Sequence, residues 1–155
     1  MNAHPRDDVA PFTIERYFDG RSRAWGIVLD RFGGLRRRFT ADIDGTWDGT
    51  TLTLTEDFVF DDGAQERRIW RIVRIGDGRY GGLARDVDGE AIGMRLAGGL
   101  RWRYILLLPI GRRTWRVRMD DRMFAQPDGK LIARATMRLF GVRVGEVLMT
   151  FDKAA

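Results

Sequence analysis

The sequence predicts an all-β fold: a single closed or nearly closed antiparallel up-and-down β-barrel of 8–10 strands. Three observations lead there. Turn signals recur at intervals of roughly 10–16 residues along the whole chain, the spacing of successive short strands. The segments between them are rich in Trp, Ile, Val, Phe and Thr, and most alternate apolar and polar residues with the strand period of two. No segment carries a sustained helical period.

The turns divide the chain as follows. "RFGG" (31–34), "DGTWDG" (44–49), "DDG" (61–63), "GDG" (76–78), "VDG" (87–89), "AGG" (97–99), "GRR" (111–113), "PDG" (127–129) and "FG" (140–141) are the breaks. Most combine Asp and Gly, residues that enter tight hairpin turns at low cost. The stretch "PFTIERYFDG" reads as one helical turn before the first strand. "SRAWGIVLD" is the first strand, with Trp25, Ile27 and Leu29 assigned to the inside. "LRRRFTADI" follows, with Leu35, Arg37, Phe39, Ala41 and Ile43 inward. "TLTLTEDFVF" places Leu52, Leu54, Glu56, Phe58 and Phe60 on one face. "RRIWRIVRI" and "VRVGEVLMTF" are apolar on both faces, so alternation assigns neither. "RYGGLARDV" and "EAIGMRLA" are two further short strands. "LRWRYILLLP" gives Leu100, Trp102, Tyr104, Leu106 and Leu108, and "TWRVRMDDRMF" gives Trp115, Val117, Met119, Asp121 and Met123. "LIARATMRLF" gives Leu131, Ala133, Ala135, Met137 and Leu139.

Ten strands joined by short hairpins form a meander whose two edges disappear only on closure. Barrels of this size are filled by side chains or hold one small ligand, which makes the expected architecture lipocalin- or calycin-like. The 155 residues divide into a flexible N-terminal segment, 1–11, and one barrel domain, 12–155.

Composition excludes several chemistries. There is no cysteine, hence no disulfide scaffold, thiolate metal site or Cys nucleophile, and His4 is the only histidine. No metal site and no cofactor are expected. No apolar run approaches the ~18 residues of a membrane helix, and the N-terminal stretch is polar, so the expectation is a soluble cytoplasmic protein. All 27 basic residues but Lys130 and Lys153 are Arg, and the formal net charge is +5. Arg36, Arg38, Arg101, Arg103, Arg116 and Arg118 fall on outward positions. Aromatic residues fall inward, which separates them from the arginines and argues against a nucleic-acid stacking platform. A weak contact with an anionic membrane surface suits such an exterior better. "GDGRYGG" is not followed by a helix and is no phosphate loop. "DIDGTWDG" lacks the helices and the final Glu of a calcium loop, so it reads as a hairpin.

Glu56 is the one break in the apolar face of residues 52–60. Hairpin counting across "DGTWDG" places it opposite Phe39 or Arg37, with Arg68 as a second candidate partner. A structural ion pair is one reading. The other is a polar anchor inside an apolar cavity, the common design of a small-ligand site. Asp121, and Asp86 in "ARDVDG", are further acids on apolar faces. The candidate ligand-binding set is Trp25, Arg37, Phe39, Glu56, Phe58, Trp102, Tyr104 and Met119, with Glu56 and Asp121 as candidate catalytic acids.

"YFDGRSRAWGIVLDRFGGLRRRFTADIDGTWDG", followed by "LTLTEDFVFDDG", "RRIWRI", "RYGG", "LRWRY", "MDDRMF" and "FGVRVGEVLMTF", resembles domain-of-unknown-function family 3833 over about residues 12–152. Many members resemble bacterial lipoproteins with a lipobox; the chain has no cysteine to carry that anchor. The genes of the family keep company with fatty-acid-modifying enzymes, so the resemblance implies a lipid-related role. The family tends to have Asn where this chain has Gly98 and Ala133, and Trp where it has Arg122, which implies a more apolar pocket here. Three functions are thus open: a barrel binding a fatty-acid-like or other apolar small molecule, an isomerase- or cyclase-type enzyme using an interior carboxylate, and a filled structural or partner-binding barrel.

Overall fold

The computed structural model describes residues 11–154; the segment 1–11, expected to be flexible, lies almost wholly outside the described residues. One helical turn, α1 (Ile14–Tyr17), precedes ten strands: β1 (Gly20–Asp30), β2 (Leu35–Trp47), β3 (Thr51–Phe60), β4 (Gln65–Gly76), β5 (Arg79–Leu83), β6 (Val87–Leu96), β7 (Gly99–Ile110), β8 (Arg113–Ala125), β9 (Leu131–Leu139) and β10 (Val142–Lys153). Each strand pairs antiparallel with its neighbour in sequence, and β1 pairs with β10 to close the barrel. The first and last strands meet along nine residue pairs, from Ser22↔Lys153 to Asp30↔Gly145, so neither edge is left to solvent. Among the described residues no helix is long and apolar enough to cross a membrane.

The two ends of the barrel differ. At one end α1 acts as a plug. Phe12, Ile14 and Phe18 are buried there, and Phe18 packs edge-on against Phe151 with ring centroids 5.5 Å apart. Tyr17 Oη donates to the Gly129 carbonyl (2.9 Å), Tyr80 Oη donates to Glu15 Oε2 (2.7 Å), and Lys153 Nζ donates to the carbonyls of Tyr17 and Asp19. Gly45 makes the fit possible, because a Cβ there would lie 1.7 Å from the Phe18 carbonyl oxygen. The other end, formed by the β1–β2, β3–β4, β5–β6, β7–β8 and β9–β10 connections, has no such plug among the described residues.

The inward faces read from alternation hold for β3, β7, β8 and β9, and for Phe39, Ala41 and Ile43 of β2. β1 is inverted. Ser22 and Ala24 are buried while Trp25 is 46% exposed, so Trp25, Ile27 and Leu29 do not form an inner face. Volume is the physical reason. Gly26 faces the Phe39 ring so closely that a Cβ would lie 2.2 Å from Cζ; the small residues of β1 make room for large ones from β2, as small barrels require. Of the strands that alternation left open, β4 turns Trp70 and Ile72 inward, and β10 turns Phe151 inward. Leu35, at the start of β2, is exposed.

Candidate functional site

A cavity of about 370 Å³ occupies the barrel interior. Its floor is α1 and its neighbours: Ile14, Phe18, Ile72 and Phe151. Aromatic rings build the middle. Trp70 meets Trp102 and Tyr104 edge-on, at centroid distances of 5.3 and 5.2 Å, and Phe39 meets Phe58 at 5.7 Å. Trp102 lies across the backbone of two neighbouring strands: Cβ atoms at Gly82 and Gly93 would come within 2.6 and 2.7 Å of its ring. The pair of glycines is therefore what seats this ring. Leu106, Leu108, Met137 and Val147 line the approach from the open end.

Polar groups enter this apolar space at few points. Glu56 and Arg68 are directly opposite each other on β3 and β4, and both line the cavity. Arg68 forms its close ion pair with Asp86, with Nη2 to Oδ2 at 2.9 Å and Nε to the two carboxylate oxygens at 3.1 and 3.0 Å. Asp86 sits in the β5–β6 connection, which is pinned to β7 by the Leu107 N–H donating to the Asp86 carbonyl (2.7 Å). Glu56 thus has Arg68 nearby, but the forked contact belongs to Asp86. Burial raises the Glu56 pKa, against the opposing pull of Arg68 and the Trp70 indole N–H.

Asp121 lies on β8 beside Trp102 of β7 and also lines the cavity. Its Oδ1 is buried with no hydrogen-bond partner. Burial, reinforced by the charges of Glu56 and Asp120, lifts its pKa from 3.8 to about 7. The Tyr104 phenol is pushed up by burial, so it keeps its proton and remains a donor. Arg37 stands at the open end. Its guanidinium lies 3.5 Å from the Phe60 ring centroid and pairs with Asp62 at 3.1 Å, while its buried Nε has no partner.

Of the residues singled out from sequence, Arg37, Phe39, Glu56, Phe58, Trp102, Tyr104, Met119 and Asp121 all line this one cavity. Trp25 does not. It stands outside, with the Arg23 guanidinium 5.7 Å from its ring centroid, in an apolar trough on the outer wall shared with Ile27, Val59, Ile132 and Leu148. The expected Glu56–Arg37 pairing also fails. The β2–β3 turn is built on Asp48, whose Oδ1 accepts from Thr50 N–H (2.8 Å) and Thr51 N–H (2.7 Å). This register sets Glu56 opposite Ile43, and Phe39 opposite Phe60. Arg37, two residues before Phe39, reaches Asp62 instead. Alternation missed Trp70 because β4 is apolar on both faces. Counting back across the "DDG" turn finds it: pairing Phe58 with Glu66 sets Glu56 against Arg68 and Leu54 against Trp70. The outward wall is less basic than its arginines suggest, since Arg101 is paired with Asp120 (2.6 Å) and Arg116 with Asp88 (2.8 Å). Among the described residues no three acidic or histidine side chains converge as a metal-binding set.

A closed antiparallel barrel with a plugged floor, an open mouth and an apolar interior bearing a few polar groups has the architecture of small-molecule-binding barrels. The chain belongs to the family described as protein of unknown function (DUF3833), whose family model matches residues 3–153. Among solved structures it is similar to the S-type phycobiliprotein lyase CPES from Guillardia theta, with a TM-score of 0.64, 10% sequence identity, and coverage of 91% of this chain and 90% of that one. At this identity the likeness establishes the fold. No curated protein matches the sequence.

Proposed function

We propose that the barrel binds one fatty-acid-like molecule, with its apolar chain among Phe58, Trp70, Trp102 and Met119 and its acid group at Arg37. The observation that carries this reading is the interior cavity. Its volume of about 370 Å³ falls in the range of about 300–1,000 Å³ typical of small-ligand sites, and its walls are mostly hydrocarbon and aromatic. Arg37 supplies a cation at the entrance with a buried N–H still unpartnered, suited to a carboxylate. The test is a titration with a naturally fluorescent polyunsaturated fatty acid, read by energy transfer from Trp70 and Trp102. Binding of one equivalent is expected. Arg37→Gln should weaken the acid by about 10- to 100-fold, the scale of a charge-assisted hydrogen bond, and leave the corresponding alcohol nearly unaffected. Absence of binding by acid and alcohol alike, with no lipid co-purifying in native mass spectrometry, refutes the reading.

Asp121 favours a second reading, an acid–base enzyme acting on an apolar substrate. A carboxyl that titrates near neutrality, has an unpartnered oxygen and shares a cavity with Glu56 and the phenol of Tyr104 is equipped to move a proton. Turnover abolished by Asp121→Asn with binding intact supports it; isotope exchange from deuterated water into a bound ligand, unchanged by that substitution, removes it.

A further inference from the structure

The hairpin tips at the two ends of the barrel differ in chemistry. At the plugged end they are Asp48-Gly49-Thr50, Asp77-Gly78, Ala97-Gly98 and Pro127-Asp128-Gly129. These are short polar or small residues suited to turns. At the open end two tips carry phenylalanine: Phe32 between β1 and β2, 83% exposed, and Phe140 between β9 and β10, 86% exposed. Ile110, at the β7–β8 tip, and Val142, beside Phe140, are also exposed. Phe140 holds a left-handed backbone conformation (φ 50°) in which glycine or asparagine is the usual residue. Large apolar side chains gathered at one end of the barrel, and not at the other, are the kind of exposed feature that points to an interaction surface.

The same rim carries unpaired cations, while its acids are engaged: Asp62 with Arg37, Asp61 with Arg38, and Asp30 with the backbone of the β1–β2 turn. The Arg31 guanidinium lies 4.7 Å from the Phe32 ring centroid, and Arg112 and Arg113 flank the β7–β8 tip. Arg36 follows the β1–β2 tip and Arg85 lies in the β5–β6 connection. None of these five has a carboxylate within 4.0 Å among the described residues, whereas the arginines of the wall at 101 and 116 do.

We propose that the open rim docks on an anionic phospholipid bilayer, Phe32 and Phe140 entering the interfacial region while Arg31, Arg36, Arg85, Arg112 and Arg113 meet the headgroups. Exposed apolar side chains at three of the five open-end connections, beside five unpaired guanidinium groups, are complementary to such a surface in both polarity and charge. The orientation sets the cavity mouth against the lipid, so a ligand passes between membrane and barrel without crossing water. This last consequence rests on the fatty-acid reading; docking itself does not.

The test is co-sedimentation of the full chain with vesicles of phosphatidylcholine alone and of phosphatidylcholine with about one third phosphatidylglycerol. Binding is expected to favour the anionic vesicles and to weaken by about tenfold or more when salt rises from roughly 50 to 500 mM. The Phe32→Ser, Phe140→Ser double variant should lose about tenfold or more in vesicle affinity. Arg112→Gln with Arg113→Gln should reduce the preference for phosphatidylglycerol. Arg21→Gln with Arg79→Gln, at the plugged end, is the control and should change neither. The proposal is overturned if the control pair weakens binding as much as the rim variants do, if neutral and anionic vesicles bind equally, or if no vesicle binds. It is also overturned if gel filtration shows a dimer that the two Phe substitutions dissolve, which would assign the rim to a second copy of the chain. Fatty-acid titration in vesicle-free buffer reads the cavity separately: rim variants that keep full affinity there but lose the vesicle separate failed docking from failed ligand binding.

Discussion

Replacing Asp121 by Asn should make the protein more stable at pH 8 and flatten its stability profile between pH 4 and pH 7.5. The carboxyl is raised by burial from 3.8 to about 7 in the folded state. Between those values the folded chain binds a proton that the unfolded chain has released. Stability therefore falls as pH rises through this window, and the loss is complete above the folded pKa. A shift of about three pH units at about 1.4 kcal/mol each gives an upper value of about 4 kcal/mol. The charge of Glu56 contributes to this rise after burial, so the part of the shift that it supplies depends on Glu56 being ionised. A difference of about 2–4 kcal/mol between wild type and variant at pH 8 is the expected result, narrowing to near zero at pH 4. Asn has the shape of Asp and removes only the ionisation, so the difference isolates this group from the exposed carboxylates that Asp48, Asp57 and Asp62 contribute with lowered values. The assay is chemical denaturation at half-unit pH steps, with the denaturant slope checked for constancy. Parallel profiles for the two proteins, or a variant less stable at pH 8, would refute the placement of Asp121 in a dry interior.

Three further outcomes follow from the packing. Glu56→Gln should shift stability at pH 7 by no more than about 1 kcal/mol, because Asp86 already holds Arg68; Asp86→Asn should cost about 3 kcal/mol or more, since it strips a guanidinium whose side chain is only 14% exposed of its forked partner, and thermal melting compares the two. Gly82→Ala or Gly93→Ala would force a Cβ against the Trp102 ring, an overpacking expected to cost about 1–3 kcal/mol in a denaturant titration and to shift Trp102 fluorescence. Tyr80→Phe removes the 2.7 Å bond to Glu15 that ties the plug to β5 and should cost about 1–2 kcal/mol, with faster amide exchange in residues 14–18 as its local signature.

The architecture was legible because it depends on counts that sequence carries directly: turns, their spacing, and a period of two. β3, β7, β8 and β9 each keep a period of two clear enough to pick one face, and each has the predicted inner face. β1 was misread for a reason that alternation cannot contain. Both of its faces are plausible, and the choice is made by Phe39 on the next strand, which needs the space that Gly26 leaves. Register was misread at one turn for a similar reason. "DGTWDG" offers two Asp-Gly steps, and the chain turns on the second, where the Asp48 carboxylate organises the backbone and Gly49 takes φ 100°. That choice moved Arg37 from Glu56 to Asp62. Asp86 lies in a connection, where no period applies, so alternation cannot assign it a face. Closure brings Glu56, Arg68 and Asp121 of β3, β4 and β8 around one space, and Asp86 of the β5–β6 connection joins them through Arg68.

The charge count of that cluster decides how an acid would bind. Arg68 faces Glu56 and is paired with Asp86, and Asp121 Oδ1 has no partner, so full ionisation would leave uncompensated negative charge in and around an apolar cavity. Burial opposes this: with its pKa lifted to about 7, Asp121 keeps near neutral pH a proton that an exposed acid would have lost, and burial pushes Glu56 in the same direction. A filled barrel made only for stability would gain from replacing the unpartnered Asp121 by hydrocarbon; its presence is an internal argument for the small-molecule reading. They also exclude one orientation. A carboxylate driven to the middle of the barrel would meet Glu56 and Asp121, and its charge would raise both further. At the mouth it meets Arg37. On the fatty-acid reading proposed above, head outward and chain inward is the favoured arrangement, and raising the pH above 7 should weaken an acidic ligand more than its neutral alcohol, because ionised Asp121 repels the former alone.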